Sequence, residues 1–214
     1  PTSSSSQPAI MARMLEMLDV RVGQRVLEVG AGTGYNAALL ATLVGPKGSV
    51  TSVELEREVA AGARDALLAA GADARVVVGD GRLGMPDGDQ VDRIIVTASS
   101  DTIPRTWYDQ LVPGGVLVVP FRLSVVSFAL QVVAAFRKVA SGFDSVSVTS
   151  GAFMALRGDG SRGGATSAAR EAMVASEVAD GTGDRPLVEL SGPALAGLGP
   201  VERQRLLVTA LGFA

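Results

Sequence analysis

The 214-residue sequence contains neither cysteine nor histidine. Without cysteine, the chain has no disulfides, thiol nucleophiles or thiolate metal sites. Without histidine, it lacks the commonest general base, the usual serine triad and most zinc sites. Any chemistry must therefore depend on carboxylates, hydroxyls, backbone dipoles or a reactive cofactor, and we expect no metal.

Aromatic residues and positive charge are also scarce. Aromatics are 4% of residues and the net charge is −3, which argues against a nucleic-acid partner, because such proteins carry a basic face and stacking aromatics. The longest apolar stretch, residues 123–136, is shorter than the roughly 20 residues of a spanning helix. No secretory signal precedes it. We therefore predict a cytoplasmic protein with no membrane partner.

The sequence does contain an alternation of short β-branched runs and longer helical patterns between Gln24 and Pro120. Near-continuous apolar strands that alternate with helices predict a parallel sheet covered on both faces. The predicted strands are Arg25 to Val29, Ser49 to Leu55, Ala74 to Asp80, Arg93 to Ala98 and Val116 to Pro120; the predicted helices are Tyr35 to Val44, Glu56 to Ala70 and Ile103 to Leu111.

Beyond Pro120 the pattern changes. Two runs joined around residues 140–142 predict an antiparallel hairpin, and a glycine-rich linker follows at 157–165. A helix is predicted from Pro200 to Leu211, with proline in its first turn. We therefore divide the chain into residues 1–157 and a linker with a small C-terminal extension, 158–214. Because the sequence starts at Pro1, we expect the native protein to begin further upstream.

The main candidate site is the segment VLEVGAGTGYNAALLA, residues 26–41. A strand runs into a glycine turn, and the helix that follows points its N-terminal amides at any ligand there. Glu28 precedes the first glycine, where an acid suits a cation such as the ammonium or sulfonium of S-adenosylmethionine better than a pyrophosphate. The alternative is a glycine turn that only packs a helix against a strand.

Two further acids follow strands. Glu54 stands 20 residues after Gly34, where a carboxylate can accept both hydroxyls of a ribose. Asp80 lies in VVVGDGRLG and could accept from the amine of an adenine, with Gly81 leaving room for the ring. Each acid alone could be an ordinary solvated carboxylate or a turn residue. Open α/β sheets, however, bind ligands at the carboxyl ends of their strands.

Several motifs together resemble the protein-L-isoaspartate O-methyltransferase family: SSSQPAIMARM, VLEVGAGTGYNAALLA, VVVGDGRLG, DRIIVTAS and QLVPGGVLVVP, with a weaker echo in GAFMALRG. The resemblance covers roughly residues 4–120. It implies a Rossmann-like class I S-adenosylmethionine-dependent methyltransferase, with a mostly parallel sheet ending in an antiparallel hairpin. It also implies that the cofactor contacts are Glu28, Gly30, Gly32, Gly34, Glu54, Leu55, Asp80, Gly81, Thr97 and Ala98.

The same resemblance implies a carboxyl methyltransferase that acts on isoaspartyl or aspartyl residues of a peptide or protein. Its product, a methyl ester, can collapse to a succinimide. The resemblance further implies that Ser6 occupies the position of the active-site hydroxyl and that Ser4, Ser5, Gln7 and Pro8 contact the substrate. A substrate carboxylate is already ionised near pH 7, because its pKa is about 4. The reaction therefore needs no general base, in agreement with the absence of histidine.

The chain departs from the usual family pattern in three places. It lacks the helical segment that precedes the Ser-x-Pro motif, Ser4 and Ser5 replace the more usual threonine and apolar residue, and residues 158–214 are additional. The longer tail resembles relatives that modify ribosomally made peptides, so repair of damaged protein and peptide tailoring are both open. The alternatives are a small-molecule methyltransferase on the same fold or a non-catalytic cofactor-binding subunit; the oligomeric state is not predicted.

Overall fold

The computed structural model describes residues 7–100, 102–122, 131–151 and 153–158, and the backbone of 188–189. Its helices are α1 Pro8–Leu18, α2 Tyr35–Val44, α3 Arg57–Ala70 and α4 Arg105–Gln110, with a 3-10 turn at Gly81–Leu83. Its strands are β1 Arg25–Val29, β2 Ser49–Glu54, β3 Arg75–Val78, β4 Val91–Val96, β5 Leu111–Arg122, β6 Gln131–Val139, β7 Gly142–Ser150 and β8 Val188–Glu189.

The strands form one sheet in the order β3-β2-β1-β4-β5-β6-β7-β8. Neighbouring strands from β3 to β5 are parallel, and β6 is antiparallel to both β5 and β7. The parallel part therefore reverses its order between β1 and β4, which is where open α/β sheets form a ligand crevice at the carboxyl edge. The predicted fold class, a mostly parallel sheet ending in an antiparallel hairpin, is confirmed.

Each face of the sheet has its own apolar core, because successive strand residues point to opposite sides. Val26, Ile95 and Val116 pack on the face that carries α1, α2 and α3. Leu27 and Leu117 pack on the other face, against the fully buried Trp107 of α4. Both faces of the parallel strands are thus covered, which explains their nearly continuous apolar sequences.

The region from Ile103 to Gly115 differs in detail from the sequence prediction. Helix α4 begins at Arg105 rather than Ile103, with Pro104 as its N-cap in an extended conformation. Strand β5 begins at Leu111, so the Pro113-Gly114-Gly115 segment lies inside the strand rather than before it. Val91 pairs with Leu111 but Arg93 with Val116, so the extra residues of β5 form a bulge.

Several sequence predictions fall outside the described residues. These are the serine run at 3–6, the apolar segment 123–130, most of the linker and C-terminal extension, and the helix predicted from Pro200 to Leu211. Within the part of the chain that the structure describes, no helix is both long enough and apolar enough to cross a membrane.

Candidate functional site

The glycine turn between β1 and α2 depends on backbone conformations that favour glycine. Gly30, Gly32 and Gly34 have φ values of 96°, 52° and 81°, in the left-handed region that other residues rarely adopt. A Cβ on Gly30 would lie 2.4 Å from the Thr97 hydroxyl, and one on Gly34 would lie 3.0 Å from the Ala63 carbonyl oxygen. The turn therefore packs closely against Thr97 and α3, and the approach to a ligand expected from the sequence stays a prediction.

Thr97 supports this turn from the end of β4. Its hydroxyl lies 2.8 Å from the Gly30 carbonyl oxygen and 3.1 Å from that of Val29. Its main-chain N–H donates to the Val29 carbonyl at 2.9 Å. Thr97 and the half-buried Ala98 are therefore adjacent to the turn, and Thr97 fixes the turn from below.

Glu28 is fully buried beneath the turn. Ser52 Oγ donates to one carboxylate oxygen at 2.5 Å, and Asn36 Nδ2 donates to the other at 2.7 Å. Burial is the largest influence on this carboxyl and raises its pKa from 4.5 to about 7, against the lowering effect of the two hydrogen bonds; the charge of Glu54 raises it further. The Asn36 Oδ1 atom is buried without a hydrogen-bond partner among the described residues.

This placement differs from the sequence-based expectation of a direct cofactor contact. Glu28 has no exposed surface to offer a ligand, because it shares the inward direction of Val26 and lies directly opposite Ser52 on β2. Its hydrogen bond to Asn36 instead connects β1 with the first turn of α2. Glu28 therefore contributes to the site by orienting the helix that follows the glycine turn.

Glu54 lies at the carboxyl end of β2 and is only partly buried. Its carboxylate accepts hydrogen bonds from the backbone N–H groups of Gly32 at 3.1 Å and Glu56 at 3.2 Å. Each carboxylate oxygen can accept more than one hydrogen bond, so both retain capacity. The side chain is thus held in one orientation between the glycine turn and the loop that leads into α3.

A pocket of about 380 Å³ opens beside Glu54, between the ends of β2 and β3. Its size is within the range of small-molecule sites. Asp80 contributes to the wall of this pocket, and its side chain is 8% exposed. The Asp80 carboxylate accepts a hydrogen bond from the Arg82 guanidinium at 2.6 Å. The lining residues are Leu55, Glu56, Arg57, Glu58, Val78, Gly79 and Asp80.

Gly81, next to Asp80, packs tightly against β1. A Cβ there would lie 2.3 Å from Val29 Cγ1. Trp107, the only tryptophan in the sequence, donates its indole N–H to the Gly81 carbonyl at 2.8 Å. Sequence reasoning missed this residue, since its position in α4 reads as an ordinary core residue.

The start of α1 and the segment 153–158 also reach the carboxyl edge. Gln7 is the N-cap of α1 with φ −59° and ψ 137°, which confirms the extended geometry expected before Pro8. Ser99, just beyond β4, accepts from Leu156 and donates to Met154 through backbone hydrogen bonds of 2.7 Å. Arg157 then pairs with Glu56 at the pocket, 3.4 Å away. Ser4, Ser5 and Ser6 lie outside the described residues.

In chemical terms the site offers a tight glycine turn, a fixed carboxylate at Glu54 and a pocket that ends at Asp80. Among the described residues, no group of three or more acidic side chains could hold a metal ion. The Glu54 carboxylate, which retains acceptor capacity, and the Asp80 carboxylate, whose two oxygens accept from Arg82, therefore lie along one edge next to the glycine turn.

Comparisons with known proteins agree on one family. Residues 2–175 match the family model described as Protein-L-isoaspartate(D-aspartate) O-methyltransferase. The Protein-L-isoaspartate O-methyltransferase of Thermotoga maritima is 43% identical over 122 residues, 56% of this chain and 38% of that protein. The protein of the same name from Methanopyrus kandleri is 48% identical over 117 residues, 54% of this chain and 52% of that protein.

Two solved structures with this family's name are also similar to the chain. A structure named protein-L-isoaspartate O-methyltransferase has a TM-score of 0.66 and 37% identity, over 73% of this chain and 49% of its own. A structure described as a putative protein-L-isoaspartate O-methyltransferase from Plasmodium falciparum in complex with S-adenosyl-L-homocysteine has a TM-score of 0.60. It is 19% identical over 72% of this chain and 75% of its own, and therefore shows the fold alone. The chain spans about half the length of the curated relatives it matches.

Proposed function

The chain belongs to the protein-L-isoaspartate O-methyltransferase family, and on this basis we propose that the protein is an S-adenosylmethionine-dependent carboxyl O-methyltransferase. Its substrate is a peptide or protein with an isoaspartyl or aspartyl residue, and its product is the methyl ester. The observation that carries the proposal is the fixed Glu54 carboxylate between the glycine turn and the pocket that ends at Asp80.

The residues of the carboxyl edge fit the cofactor. Glu54 would accept the ribose hydroxyls, and its orientation is already set by two backbone N–H donors. Leu55 and Asp80 line the pocket that would hold the adenine. Gly30, Gly32 and Gly34 let the backbone approach the amino-acid part of the molecule, with Thr97 and Ala98 behind the turn. Gly81 follows Asp80 directly, where any side chain would clash with Val29.

The bound cofactor would supply a methyl group on a sulfonium that is already activated for transfer. The protein's own task is then to align a carboxylate oxygen, which is ionised at neutral pH, and to exclude water. Alignment alone can supply a large part of a rate enhancement. A site built without histidine or cysteine is sufficient for this reaction, since no proton has to be removed from the nucleophile.

We further propose Ser6 as the hydroxyl that holds the substrate carboxylate, with Ser4, Ser5, Gln7 and Pro8 beside it. This assignment is supported by the family motif and by the position of Gln7 at the start of α1. Gln7 and Pro8 are both exposed and begin a helix whose buried face, with Met14 and Leu18, is anchored in the core. The exposed start of a fixed helix is a suitable place for a residue that contacts a peptide.

The test is a transfer assay with the full-length protein and S-adenosylmethionine labelled in the methyl group. The acceptors are matched peptides that differ only in Asp or isoAsp, together with a cyclised peptide that carries the same Asp. Label on isoAsp alone supports repair of damaged protein, and label on the cyclised Asp peptide alone supports peptide tailoring. Label on none of the three would contradict the proposal.

The control for the assay is the variant Glu16→Gln. It changes an exposed carboxylate of α1 that pairs with Arg13 and is not among the pocket residues. It should transfer label at the wild-type rate. Base treatment of the product identifies the bond formed, because a methyl ester releases methanol whereas an N-methyl group does not.

A further inference from the structure

Arg93 lies on the face of β4 that packs against α1. Among the described residues on that face of the strand, it is the buried charged side chain. It is 8% exposed. Its Nε donates to the Leu18 carbonyl oxygen at 2.8 Å, and its Nη2 donates to that of Asp19 at 3.0 Å; Nη1 donates to the Asp92 carbonyl at 2.9 Å. A buried guanidinium is costly unless its N–H groups have acceptors. The main-chain oxygens around Arg93 are therefore held in positions that satisfy it.

The carbonyl groups of Leu18 and Asp19 belong to the carboxyl end of α1. The last carbonyls of a helix have no partner within it, and a cation there is favoured by the helix dipole. Asp19 is the C-cap in a left-handed conformation, with φ 50°. Arg93 therefore satisfies the end of α1 and ties it to the start of β4.

Burial lowers the pKa of the Arg93 guanidinium and is the largest influence on it; Asp19 and Asp92 raise that pKa, and the cations of Arg137 and Arg21 lower it. The guanidinium nevertheless stays charged in a protein. The tether is therefore permanent at every pH at which the protein is folded, and it does not act as a titrating switch.

The opposite end of α1 lies at the carboxyl edge of the sheet. The Ile10 side chain is 3.4 Å from the position that a Cβ on Gly151 would take. Phe153 is held by Gln131 at the start of β6 through two hydrogen bonds of 2.6 and 3.1 Å. The Gly151 N–H also donates to the Gln131 carbonyl oxygen, at 3.5 Å. Eleven helical residues span about 16 Å, comparable with the length of β4, so one helix connects the two edges of the sheet.

We propose that Arg93 is a positioning residue, which holds the carboxyl end of α1 and thereby sets where its amino end, Gln7-Pro8, lies relative to the cofactor pocket. The inference rests on the proposed function, in which Gln7 and Pro8 lie beside the transfer site. A shift of α1 along the sheet would displace that segment by the same distance. A misplacement of 1 Å can reduce transfer by about a hundredfold.

The test compares Arg93→Met and Arg93→Lys with the wild-type full-length protein. The control is Lys138→Met, which removes the same kind of contact on the other face: Lys138 Nζ donates to the carbonyl oxygens of Tyr108 and Leu111 at the end of α4. Three quantities are measured: hydrogen exchange of the α1 amides, the dissociation constant of S-adenosylhomocysteine, and kcat and KM for the peptide that the wild type methylates.

For Arg93→Met we expect α1 exchange at least about tenfold faster, kcat/KM for the peptide lower by about tenfold or more, and a cofactor dissociation constant within about twofold. The exchange rate and kcat/KM of Arg93→Lys should lie between those of wild type and Arg93→Met, because an ammonium keeps the charge but loses the forked geometry. The lysine variant also keeps the test informative if the methionine variant fails to fold. Lys138→Met should leave α1 exchange unchanged.

Unchanged α1 exchange in both Arg93 variants would overturn the proposal. So would an equal fall in cofactor affinity and peptide kcat/KM, because it would show general loosening of the fold. If the wild type methylates no peptide, the proposed function fails. The α1 exchange of the variants then still decides whether Arg93 holds the helix.

Discussion

When Glu28 is replaced by glutamine, the free energy of unfolding relative to that of wild type should be higher at high pH than at low pH. The wild-type carboxyl is fully buried, and its pKa is raised from 4.5 to about 7. The folded state therefore holds a proton that the unfolded state has already released between these two values. Stability contributed by this group is complete below pH 4.5 and is lost as the pH rises through about 7.

The size of the effect follows from the same two values. Each pKa unit corresponds to about 1.4 kcal/mol, so the full loss is about 3 kcal/mol, of which about 2 to 3 kcal/mol falls between pH 5 and pH 8. Glutamine does not ionise and avoids this loss. The amide N–H of the introduced glutamine could donate to Asn36 Oδ1, an atom without a partner in the wild type, once the Asn36 amide rotates. Any free-energy cost of this rearrangement is the same at both pH values.

The measurement is urea unfolding of wild type and Glu28→Gln at pH 5 and pH 8. The variant's free energy of unfolding, relative to wild type, should increase by about 2 to 3 kcal/mol between the two pH values. Glu16→Gln, at an exposed carboxylate, should show no such increase. A difference for Glu28→Gln that is the same at both pH values would refute the raised pKa and the reasoning from burial.

Three further predictions concern the site itself. Glu54→Ala removes the proposed acceptor for the ribose and the hydrogen bonds from the Gly32 and Glu56 N–H groups. Cofactor binding measured by calorimetry should therefore weaken by about tenfold to a hundredfold. An unchanged dissociation constant would contradict the assignment. Ser6→Ala should lower kcat with little change in cofactor affinity, and full activity would make Ser6 structural only. Gly30→Ala places a methyl group against Thr97 at a positive φ, so thermal unfolding should occur at least several degrees lower than in wild type, whereas an unchanged midpoint would show that the turn is not tight.

The sheet could be predicted from the sequence because each parallel strand is an uninterrupted apolar run followed by a helix pattern. The glycine turn could be predicted because three glycines at alternate positions have few other uses after a strand. The Pro113 segment could not, because proline and glycine indicate a turn but do not reveal that the strand continues on both sides of a bulge. The roles of Arg93 and Trp107 depend on contacts between residues far apart in sequence.

Glu28 and Glu54 show, within the site, the same limit on what can be predicted from the sequence. Both are acids near the ends of apolar strands, and the sequence assigns both to the ligand. In the structure Glu54 is the last residue of its strand and is partly open, whereas Glu28 stands one residue earlier, between two neighbouring strands. That difference of one position leaves the Glu54 carboxylate partly open and buries the Glu28 carboxylate against the helix beside it.

The carboxyl edge joins parts of the chain that are remote in sequence, and this has a consequence for how the site works. Ser99 binds the backbone of the 153–158 segment, and Arg157 in that segment pairs with Glu56 in the wall of the pocket beside Glu54. If the proposed cofactor displaces Glu56, the ion pair would also displace Arg157 and its segment, whose Phe153 lies with Ile10 of α1 around Gly151. Cofactor affinity and peptide affinity should then be coupled, and by linkage the coupling must be equal in both directions.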